Sequence, residues 1–250
     1  MPRYFIKLSY NGTNYHGWQS QDNAVSIQST IENAFSTLLK VETPITGAGR
    51  TDTGVHAKYY IAHFDSKDSF TKEILNDFCY KLNGILPDDV AIQEIFPVKE
   101  DAHARFSAVS RSYEYHILQR KNPFSISSAY YYHGKLNIDM MNKASSILFD
   151  YIDFTSFSKL DTQTKTNNCK IMHAEWILKE DLLIFTITAD RFLRNMVRAI
   201  VGTLLDVGKE KISMNDFRKI IEAKNRSDAG SSVPAKGLFL EKIEYPEDIL

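Results

Sequence analysis

Arg50 and Asp52 lie two positions apart in a glycine-rich stretch and could supply an active-site carboxylate with a cation beside it. Alternate residues of an extended segment point to the same side, which would place the guanidinium next to the carboxylate. Gly47, Gly49 and Gly54 give the surrounding backbone conformations that are closed to other residues. Asp and Gly are also ordinary residues of solvent-exposed turns, so the stretch by itself leaves both interpretations open.

Glycine-rich loops also bind phosphate groups, but this stretch matches neither G-x-x-x-x-G-K-[ST] nor G-x-G-x-x-G. A phosphoryl-transfer enzyme would require nucleotide and magnesium, and we predict no nucleotide cofactor. The two cysteines, Cys79 and Cys169, and the seven scattered histidines lack the spacing of metal ligands or of a disulfide framework. We therefore expect neither a cofactor nor a metal.

The composition is that of a globular protein, with 250 residues of which 43% are hydrophobic. No apolar run approaches the roughly 20 residues of a membrane helix, and the N-terminus enters a strand pattern without signal-peptide features. We predict a cytoplasmic protein without membrane contact. Lys and Arg number 30 against 31 Asp and Glu, so the net charge of −1 does not indicate a nucleic-acid partner, although a local basic patch suffices to bind phosphate.

Apolar residues that alternate predict strands, and apolar residues at helical spacing predict helices. Ser26 or Ser29 would cap the first helix, and Asn83-Gly84 with Pro87 would stop the second. The polar loop 11–21 carries Tyr15 and Trp18, which either pin it to the core or stack on bases. The first hundred residues predict strands at 3–10, 59–64 and 90–96 and helices at 27–39 and 74–82.

The element order then repeats in the second half of the chain. The predicted strands are 109–118, 171–178, 182–188 and 238–245, and the predicted helices are 138–148, 192–208 and 213–222. The first half thus runs β-α-(β)β-α-β, where the strand in parentheses has no bounds of its own, and the second half is another β-α-β-β-α-β unit. This is the order of ferredoxin-like units, and it predicts halves at 1–104 and 105–250. We expect an α+β protein in which both halves join one mostly antiparallel mixed sheet, with helices on one face and a central cleft.

Seven short motifs follow one another along the chain: YNGTNYHGWQ (10–19), AGRTDTGVH (48–56), HARFSA (103–108), RSYEY (111–115), DFTSF (153–157), FLRNMVR (192–198) and PAKGL (234–238). In this order they resemble the motifs of the TruA-type tRNA pseudouridine synthases, from about residue 3 to 245. The resemblance implies isomerisation of uridines at positions 38–40 in the tRNA anticodon arm. It also implies a cofactor-free reaction carried out by a homodimer.

The resemblance implies roles for five residues, carried over by position. Asp52 matches the catalytic aspartate, which attacks C6 of the uracil or C1′ of the ribose, and Arg198 matches the arginine paired with it. Tyr113 matches the tyrosine that stacks on the target base. Arg50 is similar to the residue that holds the target nucleotide out of its stack, and Leu238 to an apolar residue of the pocket wall.

Further basic residues are candidates to contact RNA. His103 and Arg105 have either a structural role or a phosphate contact, and we place Arg105 with Arg111 among the substrate-binding candidates. Without the motifs, Arg198 would be an ordinary helix-surface charge and Tyr113 an ordinary sheet aromatic. The basic residues predicted to face phosphate are Lys58, Arg111, Lys159, Lys165, Arg191 and Arg194.

The chain departs from the family pattern at Cys169, where Arg is common, and at Arg194 and Asn195, where His or Tyr is common. These departures affect expected RNA contacts and leave Asp52 unchanged. An alternative function is a catalytically silent tRNA-binding or folding module that uses the same cleft. The intact set of Arg50, Asp52, Tyr113 and Arg198 argues against it, because a binding module has no need of a nucleophile and its counter-charge.

Overall fold

The computed structural model describes residues 1–159 and 166–249 and has the predicted α+β fold. The helices in this part of the chain are α1 (Ile27–Leu39), α2 (Lys72–Ile85), α3 (Ile138–Ile147), α4 (Met196–Gly208) and α5 (Met214–Glu222). The strands are β1 (Arg3–Tyr10), β2 (Thr46–Gly47), β3 (His56–Asp65), β4 (Val90–Val98), β5 (Ser110–Leu118), β6 (Tyr130–Tyr131), β7 (Ile171–Lys179), β8 (Leu182–Ala189) and β9 (Leu238–Glu244). Every predicted helix and strand is present.

Residues Met1–Val109 and Leu240–Leu250 form one compact unit. Its strands follow the order β4-β1-β3-β9 with β2 beside β3, and β1 is antiparallel to both β3 and β4. Phe35 of α1 packs on Phe64 of β3 with ring centroids 5.1 Å apart, and α2 packs on β4. Helix α1 begins after Ser26 because Ser26 and Ser29 form a reciprocal capping box.

Residues Ser110–Phe239 form the second compact unit. Strands β5, β8 and β7 are neighbours in that order and antiparallel, and β6 runs parallel beside β5. Helix α3 packs on β7, α4 and α5. All residues of α4 are buried except Arg198 and Asp206, so this helix is the centre of the unit.

The residues of the C-terminal strand from Leu240 onward thus belong to the unit that starts the chain. The predicted halves 1–104 and 105–250 are instead continuous stretches of sequence. That each is one copy of a repeated fold remains a proposal. Within the described residues, no helix combines the length and the apolar character needed to cross a membrane.

Two predicted helix ends are wrong. Helix α2 continues through Gly84 to Ile85, because the Asn83 side chain is not a helix stop and instead exchanges hydrogen bonds of 2.7 and 2.8 Å with the backbone of Ile92. Helix α4 begins at Met196 and not near residue 192, because Asn195 has the left-handed φ of 66°.

Candidate active site

Asp52 lies on a loop, residues 48–55, that connects β2 to β3 and that we call the Asp52 loop. Asp52 is half-buried and Arg50 is exposed. Gly54 has a φ of 78°, in the left-handed region that favours glycine, and the Val55 N–H donates to the Asp52 carbonyl oxygen at 3.1 Å. The carboxylate therefore stands on a tight turn at the start of β3.

A second loop, residues 11–18, which we call the clamp loop, lies directly against the Asp52 loop. Gly17 has a φ of 89°, and a Cβ built on it would lie 2.3 Å from the carbonyl oxygen of Thr51. The Trp18 N–H donates to the same oxygen at 3.3 Å. Only glycine combines this φ with this close approach, so Gly17 sets the position of the residue before Asp52.

The other end of the Asp52 loop is held in a similar way. A Cβ on Gly12 would lie 2.0 Å from the carbonyl oxygen of Val55. The Gly12 N–H donates to Nδ1 of the buried His56 at 3.1 Å. In addition, the hydroxyls of Tyr10 and Thr51 are 2.9 Å apart. The clamp loop and β1 thus fix the backbone on both sides of Asp52.

Trp18 and Tyr15 pin the clamp loop to the protein, since only 2% and 4% of their surfaces are exposed. The Trp18 ring stacks on Tyr60 of β3 with centroids 4.0 Å apart. The Tyr60 hydroxyl donates to the Gly49 carbonyl oxygen. Of the two sequence interpretations of these aromatics, the structure supports the structural one.

A pocket of about 220 Å³ opens beside Arg50, and we call it the Phe106 pocket. Its lining joins the clamp loop, α1, β2, the Asp52 loop and the segment 103–106; the lining residues are Trp18, Gln19, Gln28, Ile45, Thr46, Gly47, Gly49, Arg50, His103, Arg105 and Phe106. Two predicted substrate-binding residues, Arg50 and Arg105, therefore line one pocket. Asp52 is not among its described lining residues.

His63 positions the segment that carries Arg105. Its Nδ1 accepts the Ala104 N–H at 3.2 Å, and its ring lies 4.7 Å from that of His103. Burial, followed by the charges of Arg3 and His103, lowers the pKa of His63 from 6.5 to about 4. His63 is therefore neutral at pH 7 and can act as a hydrogen-bond acceptor.

In the second unit, Tyr113 and Arg111 lie on β5 and are both half-buried. The Tyr113 ring makes an edge contact with Phe192, with centroids 5.1 Å apart and planes at 87°. The Arg111 Nη1 donates to the Asp190 carbonyl oxygen at 3.0 Å. The strand thus presents the tyrosine with a defined ring orientation, as a stacking partner requires.

Arg198 lies in the first turn of α4 and is tied to the segment 231–234. Its Nε donates to the Val233 carbonyl oxygen at 2.8 Å, and the Val233 N–H donates to the Arg198 carbonyl oxygen at 3.2 Å. The segment approaches the helix at Gly202, where a Cβ would lie 1.9 Å from the Ser231 carbonyl oxygen. The guanidinium is therefore mounted on a buried helix and oriented by a neighbouring segment.

The same segment leads into Leu238, which is 6% exposed at the start of β9. The Tyr115 hydroxyl donates to the Pro234 carbonyl oxygen at 2.8 Å. A Cβ on Gly237 would lie 2.8 Å from the Tyr115 ring. Leu238 is thus placed by contacts with β5.

The positions that depart from the family pattern have structural partners. Cys169 is 2% exposed, and burial raises the pKa of its thiol to about 12, so it is not a reactive thiolate at neutral pH. Asn195 Nδ2 donates to the Ser232 hydroxyl at 2.6 Å, whereas Arg194 is exposed. Lys165 lies outside the described residues, and within them no group of His, Cys, Asp and Glu could hold a metal.

Known proteins with similar sequences place this chain in a family. A family model for tRNA pseudouridine synthase matches residues 152–246. Proteins called tRNA pseudouridine synthase A are 52% identical in Parabacteroides distasonis and 41% identical in Clostridium acetobutylicum. The first alignment covers 100% of this chain and 98% of the relative, and the second covers 96% and 98%.

This chain belongs to the tRNA pseudouridine synthase family. The predicted family is confirmed, and so is the prediction that the protein is an enzyme, an isomerase. The individual roles of Asp52, Arg198, Tyr113, Arg50 and Leu238 remain predictions.

Sequence reasoning missed the residues that hold the site residues in place, above all Gly12, Gly17, Tyr60, His63 and Val233. The clamp loop was recognisable as a motif, but nothing local shows that its glycines touch the backbone around Asp52. Phe106 was visible only as part of a motif. Its exposure and its place in a pocket depend on residues about 50 to 90 positions earlier in the chain.

Replacing Gly17 by Ala is expected to lower the free energy of unfolding by about 2 kcal/mol or more, because the new Cβ requires both a strained φ and movement of Thr51. Thermal unfolding followed by circular dichroism measures the change. The matched control is Gly49→Ala, where a Cβ meets nothing within 4 Å. Equal stability of both variants would contradict the clamp.

Acid is expected to destabilise the protein through His63 between about pH 6.5 and pH 4. In this window unfolded His63 binds a proton and folded His63 does not, so the free energy of unfolding falls as the pH falls. Urea unfolding at several pH values measures the slope. In His63→Asn, which keeps an acceptor but does not titrate, the slope should be smaller; an unchanged slope would argue against this role.

Proposed function

We propose that this protein isomerises uridine to pseudouridine at positions 38–40 of the tRNA anticodon arm, without a cofactor. Membership of the family supports the general function, isomerisation of uridine in tRNA. The positions in tRNA come from the resemblance of the seven motifs. The observation that carries the proposal is the position of Asp52, which has glycine contacts to the backbone on both sides, at Thr51 and Val55, in a chain that matches its relatives over its full length.

In the proposed reaction, the Asp52 carboxylate is the nucleophile. It attacks C6 of the uracil or C1′ of the ribose, the N1–C1′ bond breaks, and the detached base turns. A C5–C1′ bond then forms, and on the C1′ route this step displaces Asp52, whereas on the C6 route the bond to Asp52 breaks afterwards. The proton on C5 leaves to solvent and N1 takes up a proton. No atom or electron is gained or lost overall, so the chemistry needs no oxidant or reductant.

Arg198 is proposed to form an ion pair with Asp52. A carboxylate enclosed by an aromatic ring and an aliphatic wall is costly unless a group of opposite charge lies beside it, and a guanidinium would supply that charge. Support comes from the Arg198 side chain itself, which is oriented by its 2.8 Å hydrogen bond to Val233.

Tyr113, Arg50 and Leu238 are proposed to receive the target nucleotide. A uridine in a stem cannot react until it is extruded, and the extruded base needs a flat partner and an apolar wall. Arg50 would occupy the space that the base leaves. Arg105 and Arg111 are proposed to contact the surrounding RNA, since guanidinium groups suit phosphate.

Homodimer assembly and a cytoplasmic location are parts of the same proposal. The dimer rests on the family resemblance, and the location rests on a tRNA substrate. Two protomers would also allow one RNA to contact cations from both, which fits a chain whose own net charge is only −1.

The test is tritium release from tRNA labelled at uridine C5. The protein should release tritium, and Asp52→Asn should lower the rate by several orders of magnitude, as removal of a nucleophile does in other enzymes. The control is Asp68→Asn, an exposed carboxylate of the same unit, which should react like the parent protein. Pseudouridine mapping of the product tRNA then locates the modified positions.

Three outcomes would overturn parts of the proposal. Equal release by the parent protein and Asp52→Asn removes Asp52 from the mechanism. Salt-sensitive tRNA binding by the parent protein with no release at all would favour the silent binding module instead. Modification outside positions 38–40 would overturn the assignment of the target.

A further inference from the structure

The Phe106 pocket contains an exposed aromatic ring on a rigid support. Phe106 is 75% exposed. Single exposed aromatics are common on protein surfaces and need no function. Here, however, His103 Nδ1 accepts the N–H groups of Arg105 and Phe106 at 3.0 and 3.3 Å, and His103 and Ser107 exchange two bonds of 2.9 Å. The turn that directs the ring into solvent is therefore preorganised.

The charges around this ring suit an anion. The Arg105 guanidinium carbon lies 5.4 Å from the centre of the Phe106 ring, and Arg50 also lines the pocket. The described lining residues include no carboxylate. An aromatic face flanked by guanidinium groups is the combination with which proteins hold single-stranded nucleic acid, since the ring stacks on a base and the cations contact phosphate.

The size of the pocket limits the kind of ligand that it can hold. Its volume of about 220 Å³ is smaller than the roughly 300–1,000 Å³ of pockets that enclose drug-sized ligands, and it suits one flat heterocycle.

Gln28, the side-chain amide at the wall formed by α1, already has protein partners for all its hydrogen-bonding positions. Its Nε2 donates to Glu32 and Ile45, and its Oε1 accepts from Gln19 and Ser20, at 2.9–3.1 Å. Gln28 therefore does not read the edge of a base.

We propose that the Phe106 pocket holds a second, unpaired nucleobase of the tRNA, distinct from the target uridine. This base stacks on Phe106, while Arg105 contacts the adjoining phosphate. The proposal rests on the proposed tRNA substrate. Extruding a target base costs stacking energy, and an aromatic face outside the target site recovers part of that cost.

The first experiment measures the affinity of Phe106 variants for a fluorescent anticodon-arm RNA by anisotropy. All proteins carry Asp52→Asn, so that the RNA stays unmodified. Phe106→Ala and Phe106→Leu should each weaken binding by about tenfold, because neither keeps a flat ring, and Phe106→Trp should bind like the parent. Phe124→Ala, which removes a 94% exposed ring outside the pocket, is the control and should leave the affinity unchanged.

The second experiment identifies the base that occupies the pocket. Each unpaired nucleotide of the RNA is made abasic in turn, and its affinity is measured with Phe106 and with Phe106→Ala. At one position other than the target uridine, removing the base should weaken binding to the protein with Phe106 but should not weaken binding to Phe106→Ala, because the base and the ring contribute through the same contact. We call this result coupling between that base and Phe106.

Three results would overturn the proposal. Phe106→Leu could bind RNA as tightly as the parent, which removes the stacking role. The base whose contribution to affinity depends on Phe106 could be the target uridine, which would make the pocket part of the reaction site. Phe106→Ala could change the oligomeric mass while RNA affinity stays constant, which makes the surface a protein contact. Because Phe106 is exposed, its replacement should leave the melting temperature unchanged. The melting temperature of each variant therefore serves as the control for folding.

These outcomes are separate from those of the proposed reaction. Binding is measured without turnover, so the result does not depend on whether Asp52 is the nucleophile. If the protein releases no tritium but a base still couples to Phe106, the proposed reaction is wrong and the proposed RNA subsite stands. If the protein releases tritium normally but no base couples to Phe106, the reaction stands and the subsite is wrong.

Discussion

The contact between Gly17 and the Thr51 carbonyl oxygen is the constraint on which the Asp52 loop depends. A nucleophile must be held within tenths of an ångström of its reactive position, and Asp52, which we propose for this role, lies on a loop and not within a strand or helix. Backbone contacts from the clamp loop replace the missing ladder of hydrogen bonds. Glycines contact the backbone on both sides of Asp52, at Thr51 and at Val55, so the carboxylate can be preorganised before any RNA binds.

The second unit uses the same physical device for a different side chain. Gly202 lets the segment around Ser231 approach α4 more closely than any other residue would allow, and that approach brings the Val233 carbonyl within hydrogen-bonding distance of Arg198. In each unit, then, a residue without a side chain allows a backbone contact that positions a charged one. This arrangement makes both sites sensitive to substitution of the glycine, since one added methyl group would displace the backbone beside the site.

Three histidines of the first unit act as neutral hydrogen-bond acceptors. His56 accepts from Gly12, His63 accepts from Ala104, and His103 accepts from Arg105 and Phe106, in each case through Nδ1 and from a backbone N–H. Loops leave backbone donors without ladder partners, and an imidazole satisfies them without adding a charge. This explains why histidines occur in the motifs of a chain whose described residues hold no metal-binding cluster.

The sequence by itself determined the α+β class, the longer helices and strands, and the family, because periodicity and motif order are local or linear properties of the chain. It offered Ser26 or Ser29 as the cap of α1, and the structure uses both, three positions apart, in one capping box. The two-residue strands β2 and β6 were not predicted, because two residues show no periodicity. The tertiary structure decided that Trp18 packs on Tyr60, that Asn83 bonds Ile92 within a continuing helix, and that Arg50 and Arg105 share a pocket with Phe106. These contacts join residues between 9 and 56 positions apart, and no local pattern specifies which distant backbone a glycine or an aromatic ring will meet.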